Sequence, residues 1–293
     1  MQTRPLDALA AALTCLLCVV WGFNQVIAKA ALVDVGPIAQ GGIRSATGAV
    51  CVIGIAALSG RRIFWIDGSE AAGALAGLLF AMEFIALYEA LRFTTAARAT
   101  VFMSAAPFFV ALGAIFVLKN ERLRVTQWAG LALAFLGVAV GLIGRTPGGG
   151  PLGDALALLA AALWGATTIV IKATPLRSAD PLKVLIYQIG ASALLTPIAM
   201  AVLGEPAPTQ ASALTAGLLL WQGVAVVGLS YPLWFWLLTT YPAPQISAFT
   251  FVSPLVGVYG GWLVFGEVVT PAFAVAIALV VAGVALVNWP RRL

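Results

Sequence analysis

The chain carries one unit twice. Trp21-Gly22 returns as Trp164-Gly165, Lys29 as Lys172, Pro37 as Pro181, Pro107 as Pro254, Glu121 as Glu267 and Gly137 as Gly283. The spacing between copies drifts only from 143 to 147 residues, so about half the chain has been duplicated, as 1–147 and 148–293. Each copy holds five apolar stretches long enough to cross a bilayer. Five is odd, so a second copy threaded directly after the first enters the membrane upside down. The duplication therefore predicts an all-α membrane protein, one membrane domain over 1–293 with ten transmembrane helices in two inverted five-helix repeats.

Composition agrees. Apolar residues make up 62% of the chain and charged residues 9%, with a mean hydropathy of +1.03, whereas a soluble domain carries about 25% charged residues. The expected spans are 7–30, 37–58, 70–91, 96–118, 125–144, 153–173, 181–203, 214–239, 244–265 and 270–288. The eighth contains Pro232 and is the least regular. The longest connections, 59–69 and 204–212, are too short for a soluble domain, and Gly148-Gly149-Gly150-Pro151 joins the repeats. The run after Arg4 lacks a small-residue cleavage site and reads as a retained first span. Gly73/Gly77, Gly137/Gly141 and Gly257/Gly261 have the spacing of close helix contacts.

The net charge of +5 reads as topology control and not as nucleic-acid binding. With the N-terminus inside, eleven of the sixteen Lys and Arg residues fall on the cytoplasmic side and four outside, with Arg44 inside a span. That bias, with an even number of spans, places both termini in the cytoplasm. There is no His, which excludes His-based metal sites and catalysis. Cys15, Cys18 and Cys51 lie within apolar spans and read as packing residues. No metal, cofactor or nucleotide-binding segment is expected.

Polar groups inside a span are expensive, so they are informative. Arg44 lies about 10 Å inside the second span and Glu83 about 12 Å inside the third, at 1.5 Å per residue. At matched depth the two can pair. Arg44 is a candidate for holding a substrate carboxylate. Glu83 is a candidate for carrying a proton or binding a substrate amine. A structural ion pair is the competing role. Gln188 and Ser230 hold the corresponding positions in the second copy. Asn24 and Gln25 follow Trp21-Gly22 at similar depth, with Thr167 and Thr168 as their counterparts. Their amides and hydroxyls suit a zwitterion, or equally a neighbouring helix. Lys29 and Lys172 read as interfacial anchors. Trp65, Trp128 and Trp289 read as interfacial belt residues, but Trp21 and Trp164 lie too deep for that role. Trp21, Trp164, Tyr231 and Tyr259 are expected to face an internal site and to favour apolar and aromatic side chains. Pro107 and Pro254 fall inside the fourth and ninth spans at equivalent positions. Each is a candidate hinge or a fixed kink.

The stretch Ala105-Ala106-Pro107-Phe108-Phe109-Val110 through Asn120-Glu121-Arg122-Leu123, followed by Gly130 and Gly137, resembles the EamA family of the drug/metabolite transporter superfamily. Ser253-Pro254-Leu255 through Phe265-Gly266-Glu267, followed by Gly283, resembles it again, and the Trp-Gly of each copy fits. Lys119-Asn120-Glu121 departs from the family's more usual Gly before Glu. The resemblance implies ten helices in two inverted five-helix repeats around a central cavity. Helices one to four and six to nine would line it, with five and ten peripheral. It implies residence in a bacterial inner membrane and export of small metabolites, often amino acids or drugs. Within the family the chain looks most like exporters of aromatic and other neutral amino acids. The expected partners are a small-molecule substrate and the lipid bilayer, with no nucleic acid, and the expected state is a monomer. A passive channel would want rings of equivalent polar residues. A membrane-embedded lipid enzyme would want a catalytic constellation, and the sequence has neither H-E-x-x-H nor G-x-S-x-G.

Overall fold

A computed structural model describes residues 7–117, 124–143, 147–241, 249 and 252–287. Among these residues every regular element is a helix. In chain order they are α1 (Ala8–Ala31), α2 (Pro37–Leu58), α3 (Glu70–Phe93), α4 (Ala96–Met103), α5 (Ala106–Val117), α6 (Val125–Ile143), α7 (Pro151–Ala173), a short turn of 3-10 helix (Pro175–Ser178), α8 (Pro181–Leu203), α9 (Ala213–Leu220), a π-helical stretch (Trp221–Ser230), α10 (Tyr231–Thr240), α11 (Val252–Phe265) and α12 (Pro271–Val287). Among the described residues seven helical segments are long and apolar enough to span a bilayer, and 125–141, 252–265 and 271–286 are shorter apolar helices.

Two of the expected spans are interrupted, each beside a proline. The span expected over 96–118 divides into α4 and α5. Pro107 has no N–H, and its ring crowds the carbonyl four residues back, which is that of Met103, the last residue of α4. The Ser104 hydroxyl donates instead to the Thr100 carbonyl at 2.8 Å. The span expected over 214–239 runs α through π and back to α, and the π stretch ends two residues before Pro232. In a π-helix each N–H reaches back five residues, a geometry found mostly as single turns. The opening of the expected ninth span, 244–251, lies almost wholly outside the described residues, so Pro254 is seen only as the third residue of α11.

The most extensive pairings are α6 with α12 and α3 with α7; α2 packs on α8 and the π stretch, and α1 on α11. The pair α6–α12 meets the rest of the molecule much less than it meets itself. Small residues make that seam close. A Cβ at Gly137 would run into the Ala276 backbone, and one at Gly283 into the backbone of Gly130 and Ala134. Gly73 and Gly77 do the same for α3 against Tyr187 of α8.

Carboxylates tie loops to helix starts. Glu267 accepts from the backbone N–H groups of Ala96 and Ala97 at 2.7 and 2.9 Å, and lies 3.4 Å from the Lys29 ammonium, which also donates to the Thr94 carbonyl. Lys29 is thus bonded within the protein at the end of α1. Glu205 accepts from the N–H groups of Ile38 and Ala39. Asp34 accepts from Ser212 and Thr215 at the start of α9. Each carboxylate supplies acceptors to a helix N-terminus, whose first N–H groups have no partner inside the helix. Arg98 of α4 forms a buried ion pair with Asp154 of α7, which also accepts from the Thr94 hydroxyl at 2.8 Å.

Candidate functional site

Arg44 is completely buried on α2. Its Nη2 donates to the Tyr231 hydroxyl at 3.0 Å, and its guanidinium carbon lies 3.7 Å from the centre of the Phe84 ring. A cation over an aromatic face is stabilised by about 2 kcal/mol or more when desolvated. Phe84 is held in a ladder along α3, with Phe80 at 4.7 Å and Tyr88 at 5.8 Å between ring centres. The spacing of four residues stacks these rings on one helix face.

Tyr231 begins α10, directly after the π stretch. Its ring meets Trp21 of α1 edge-on at 6.3 Å, and Trp21 meets Trp234 at 5.1 Å. The Trp21 indole N–H donates to the Ser230 hydroxyl at 2.8 Å, and Ser230 donates in turn to the Val226 carbonyl within the π stretch. One continuous set of contacts therefore joins α1, α2, α3 and α10. Asn24 and Gln25 lie one turn along α1 from Trp21 and are buried.

A second polar chain runs beside the first. The Tyr88 hydroxyl donates to Gln222 at 2.7 Å, Gln222 to Gln40 at 3.3 Å, and Gln40 to the Val35 carbonyl at 3.0 Å. Gln40 and Gln222 are fully buried, and each spans two partners. This chain fixes Tyr88 and the face of α2 one turn before Arg44.

Five buried side-chain polar atoms among the described residues have no hydrogen-bond partner: Nε and Nη1 of Arg44, Oε2 of Glu83, Oδ1 of Asn24 and Oε1 of Gln25. An unpaired buried polar atom costs about 1–3 kcal/mol, more if charged. Such groups need a specific explanation, and here they concentrate in four residues. Arg44 and Glu83 are close enough to interact electrostatically, yet they form no ion pair. The direct pairing expected from their depths is therefore absent. Tyr231 and the Phe84 ring hold the guanidinium instead.

The remaining candidates are not drawn into this cluster. Trp164 is 40% exposed and Tyr259 is 58% exposed, with its ring 5.8 Å from Trp262. The Thr168 hydroxyl donates to the Trp164 carbonyl at 3.0 Å, closing a bond within its own helix. Gln188 is buried on α8. Pro107 marks the break between α4 and α5, and Pro254 is buried in the first turn of α11. Phe84, Gln40 and Gln222 were not singled out from sequence. The rule that found Arg44, a polar residue deep in an apolar span, reaches Gln222 as well, whereas Gln40 is only the fourth residue of α2.

Comparison with known proteins places the whole chain in context. The EamA-like transporter family matches residues 8–143 and, a second time, 151–289. A probable amino-acid metabolite efflux pump of Salmonella typhimurium is 30% identical over 285 residues, covering 92% of each chain. Two Bacillus subtilis proteins, the uncharacterized transporters YvbV and YoaV, are 27% and 21% identical, covering 96% and 90% of this chain and 92% and 91% of their own. A solved structure titled only "Crystal structure of protein" shares the fold with a TM-score of 0.69 at 19% identity, over 96% of both chains.

Proposed function

The chain belongs to the EamA-like transporter family, and from that premise we propose that it exports small zwitterionic metabolites, amino acids including aromatic ones, across a bacterial inner membrane. It is a multi-pass membrane protein of transporter type. The observation that carries the substrate class is the inventory of unpaired polar atoms. Two guanidinium nitrogens of Arg44 are left to donate, and Glu83, Asn24 and Gln25 each leave one oxygen to accept. A carboxylate offers two oxygens to a guanidinium, and an ammonium offers three protons. An α-amino acid carries both groups on one carbon. The aromatic surface of Trp21, Trp234, Phe84 and Tyr231 is suited to an apolar side chain beside them. The Salmonella relative, named for amino-acid metabolites, supports the same class.

Alternating access between two inverted five-helix halves, 1–147 and 148–293, is the mechanism we attach to this reading, with both termini cytoplasmic. The double family match supports two equivalent halves. So does the packing of α1 on α11 and of α7 on α4 and α5, each a first helix of one half against the fourth span of the other. Pro107 and Pro254 are the proposed hinges, and Trp164, Thr168, Gln188 and Tyr259 are proposed second-half contacts reached in another state of the cycle. The protein is proposed to act as a monomer.

The test is uptake of radiolabelled amino acids into proteoliposomes, with competition by amino-acid amides and by amines lacking the carboxylate. Saturable uptake, competed only by compounds with both charged groups, is expected. Arg44→Ala should abolish it. Saturable transport of drugs or other metabolites in place of amino acids would overturn the substrate class. Flux that never saturates would favour a channel.

A further inference from the structure

Between α2 and α3 the chain runs through Ile63-Phe64-Trp65-Ile66. Ile63 turns inward, but Phe64, Trp65 and Ile66 are 72%, 59% and 86% exposed, and Leu58 at the end of α2 is 92% exposed. Large apolar and aromatic side chains presented in this way at the end of a span belong at the level where lipid headgroups meet acyl chains. Under this loop lies a cavity of about 370 Å³, within the roughly 300–1,000 Å³ of small-ligand sites. Ile53, Ala56 and Ala57 of α2 form one wall, and Phe64 and Trp65 form another.

The polar side chains on this cavity are two guanidinium groups, Arg61 and Arg62. Arg61 is half-exposed and reaches Asp180 at 3.2 Å. Arg62 is exposed, and no described residue bonds or pairs with it. The nearby acids are already engaged. Asp67 lies 2.9 Å and Glu70 3.7 Å from the Lys183 ammonium, which also donates to the Trp65 carbonyl and so fixes the loop. An apolar slot at the membrane interface, with an unengaged guanidinium at its mouth, matches a ligand that is apolar along its body and anionic at its head.

We propose that this cavity binds one anionic phospholipid, its phosphate on Arg62 and Arg61 and one acyl chain along Ile53 and Ala57 beside Trp65. Guanidinium groups are suited to phosphate, and basic residues at the cytoplasmic end of a span attract anionic headgroups. The site is separate from Arg44 and independent of what the protein transports.

The experiment is lipid titration of the intact protein in detergent, read by native mass spectrometry, with phosphatidylglycerol against phosphatidylcholine of the same acyl chains. One phosphatidylglycerol should be retained at concentrations where phosphatidylcholine is lost. Arg62→Ala should weaken that retention about fivefold or more, Arg62→Lys should restore part of it, and Arg177→Ala, an exposed cation outside the cavity lining, should leave it unchanged. Ala57→Trp should fill the slot and lower retention. Equal retention of the two lipids would overturn the proposal and mark the slot as a general apolar surface. Equal losses in Arg62→Ala and Arg177→Ala would overturn it in favour of diffuse charge. Undiminished retention in a folded Ala57→Trp protein would place the lipid elsewhere. If Ala57→Trp does not fold, the comparison of the two arginine variants decides.

Discussion

Arg44 holds its charge in apolar surroundings with one hydrogen bond and the rings of Phe84 and Tyr88, leaving two nitrogens unbonded. Hydrogen bonds to charged groups contribute about 1.5–3 kcal/mol, so Arg44→Lys, which keeps charge and loses the planar fork, should raise the KM for transport at least about tenfold. Tyr231→Phe removes the hydroxyl that orients the guanidinium and leaves Nη2 of a buried charge unbonded, so it should raise KM about three- to tenfold and cost about 1.5–3 kcal/mol of thermal stability. Both are read from initial uptake rates in proteoliposomes. The set of buried unpaired polar groups was partly legible in the sequence, because the cost of a polar group in a span is visible from composition alone: it pointed to Arg44, Glu83, Asn24 and Gln25. It also pointed to Trp164, Thr168 and Tyr259, which lie elsewhere. An apolar helix facing lipid and one facing a cavity have the same composition, so exposure at Trp164 and Tyr259 could not be read. Phe84 was hidden for a related reason, since nothing separates a ring under a cation from a ring in a core.

Helices follow the expected spans closely wherever they are uninterrupted, as in α2, 37–58, and α8, 181–203. Hydropathy averages over some twenty residues, so it finds a span and misses what happens inside one. The break at Ser104–Ala105 and the π stretch over 221–230 are such internal events, and each precedes a proline that hydropathy treats as one more residue. Pro107→Ala restores the missing N–H and should fuse α4 to α5. Circular dichroism should gain helix signal, and if the break is a working hinge, the transport rate should fall while substrate affinity holds. Unchanged transport would make it fixed curvature. The bond between α4 and α7 is testable on its own. Removing one partner of a buried ion pair costs about 3–5 kcal/mol, so Asp154→Ala should markedly lower the midpoint of thermal unfolding in detergent. Nothing in the sequence pointed to Arg98 and Asp154 as partners, because residues 56 positions apart leave no local pattern.

Across the whole molecule, the loop carboxylates join segments distant in sequence, and one of them should report on pH. The hydroxyls of Ser212 and Thr215, with the Ser212 N–H, pull the Asp34 carboxyl down from 3.8 to about 2. A carboxyl depressed in the folded state contributes stability that is complete above the unfolded value and is lost as pH falls through the folded one. The clasp between 34 and 212–215 should therefore loosen between about pH 4 and pH 2, seen as faster amide exchange at the start of α9, and Asp34→Asn should remove that pH dependence. The order of synthesis adds a further consequence to the bond between Arg44 and Tyr231. The two residues are 187 positions apart. At about 5–20 residues per second, the ribosome delivers Tyr231 roughly 10–40 s after Arg44. Phe84 arrives within about 2–8 s at the same rate. The second span thus enters the bilayer with a charged side chain whose final partner has not yet been made, and the ring on the third span is the earlier of the two to reach it.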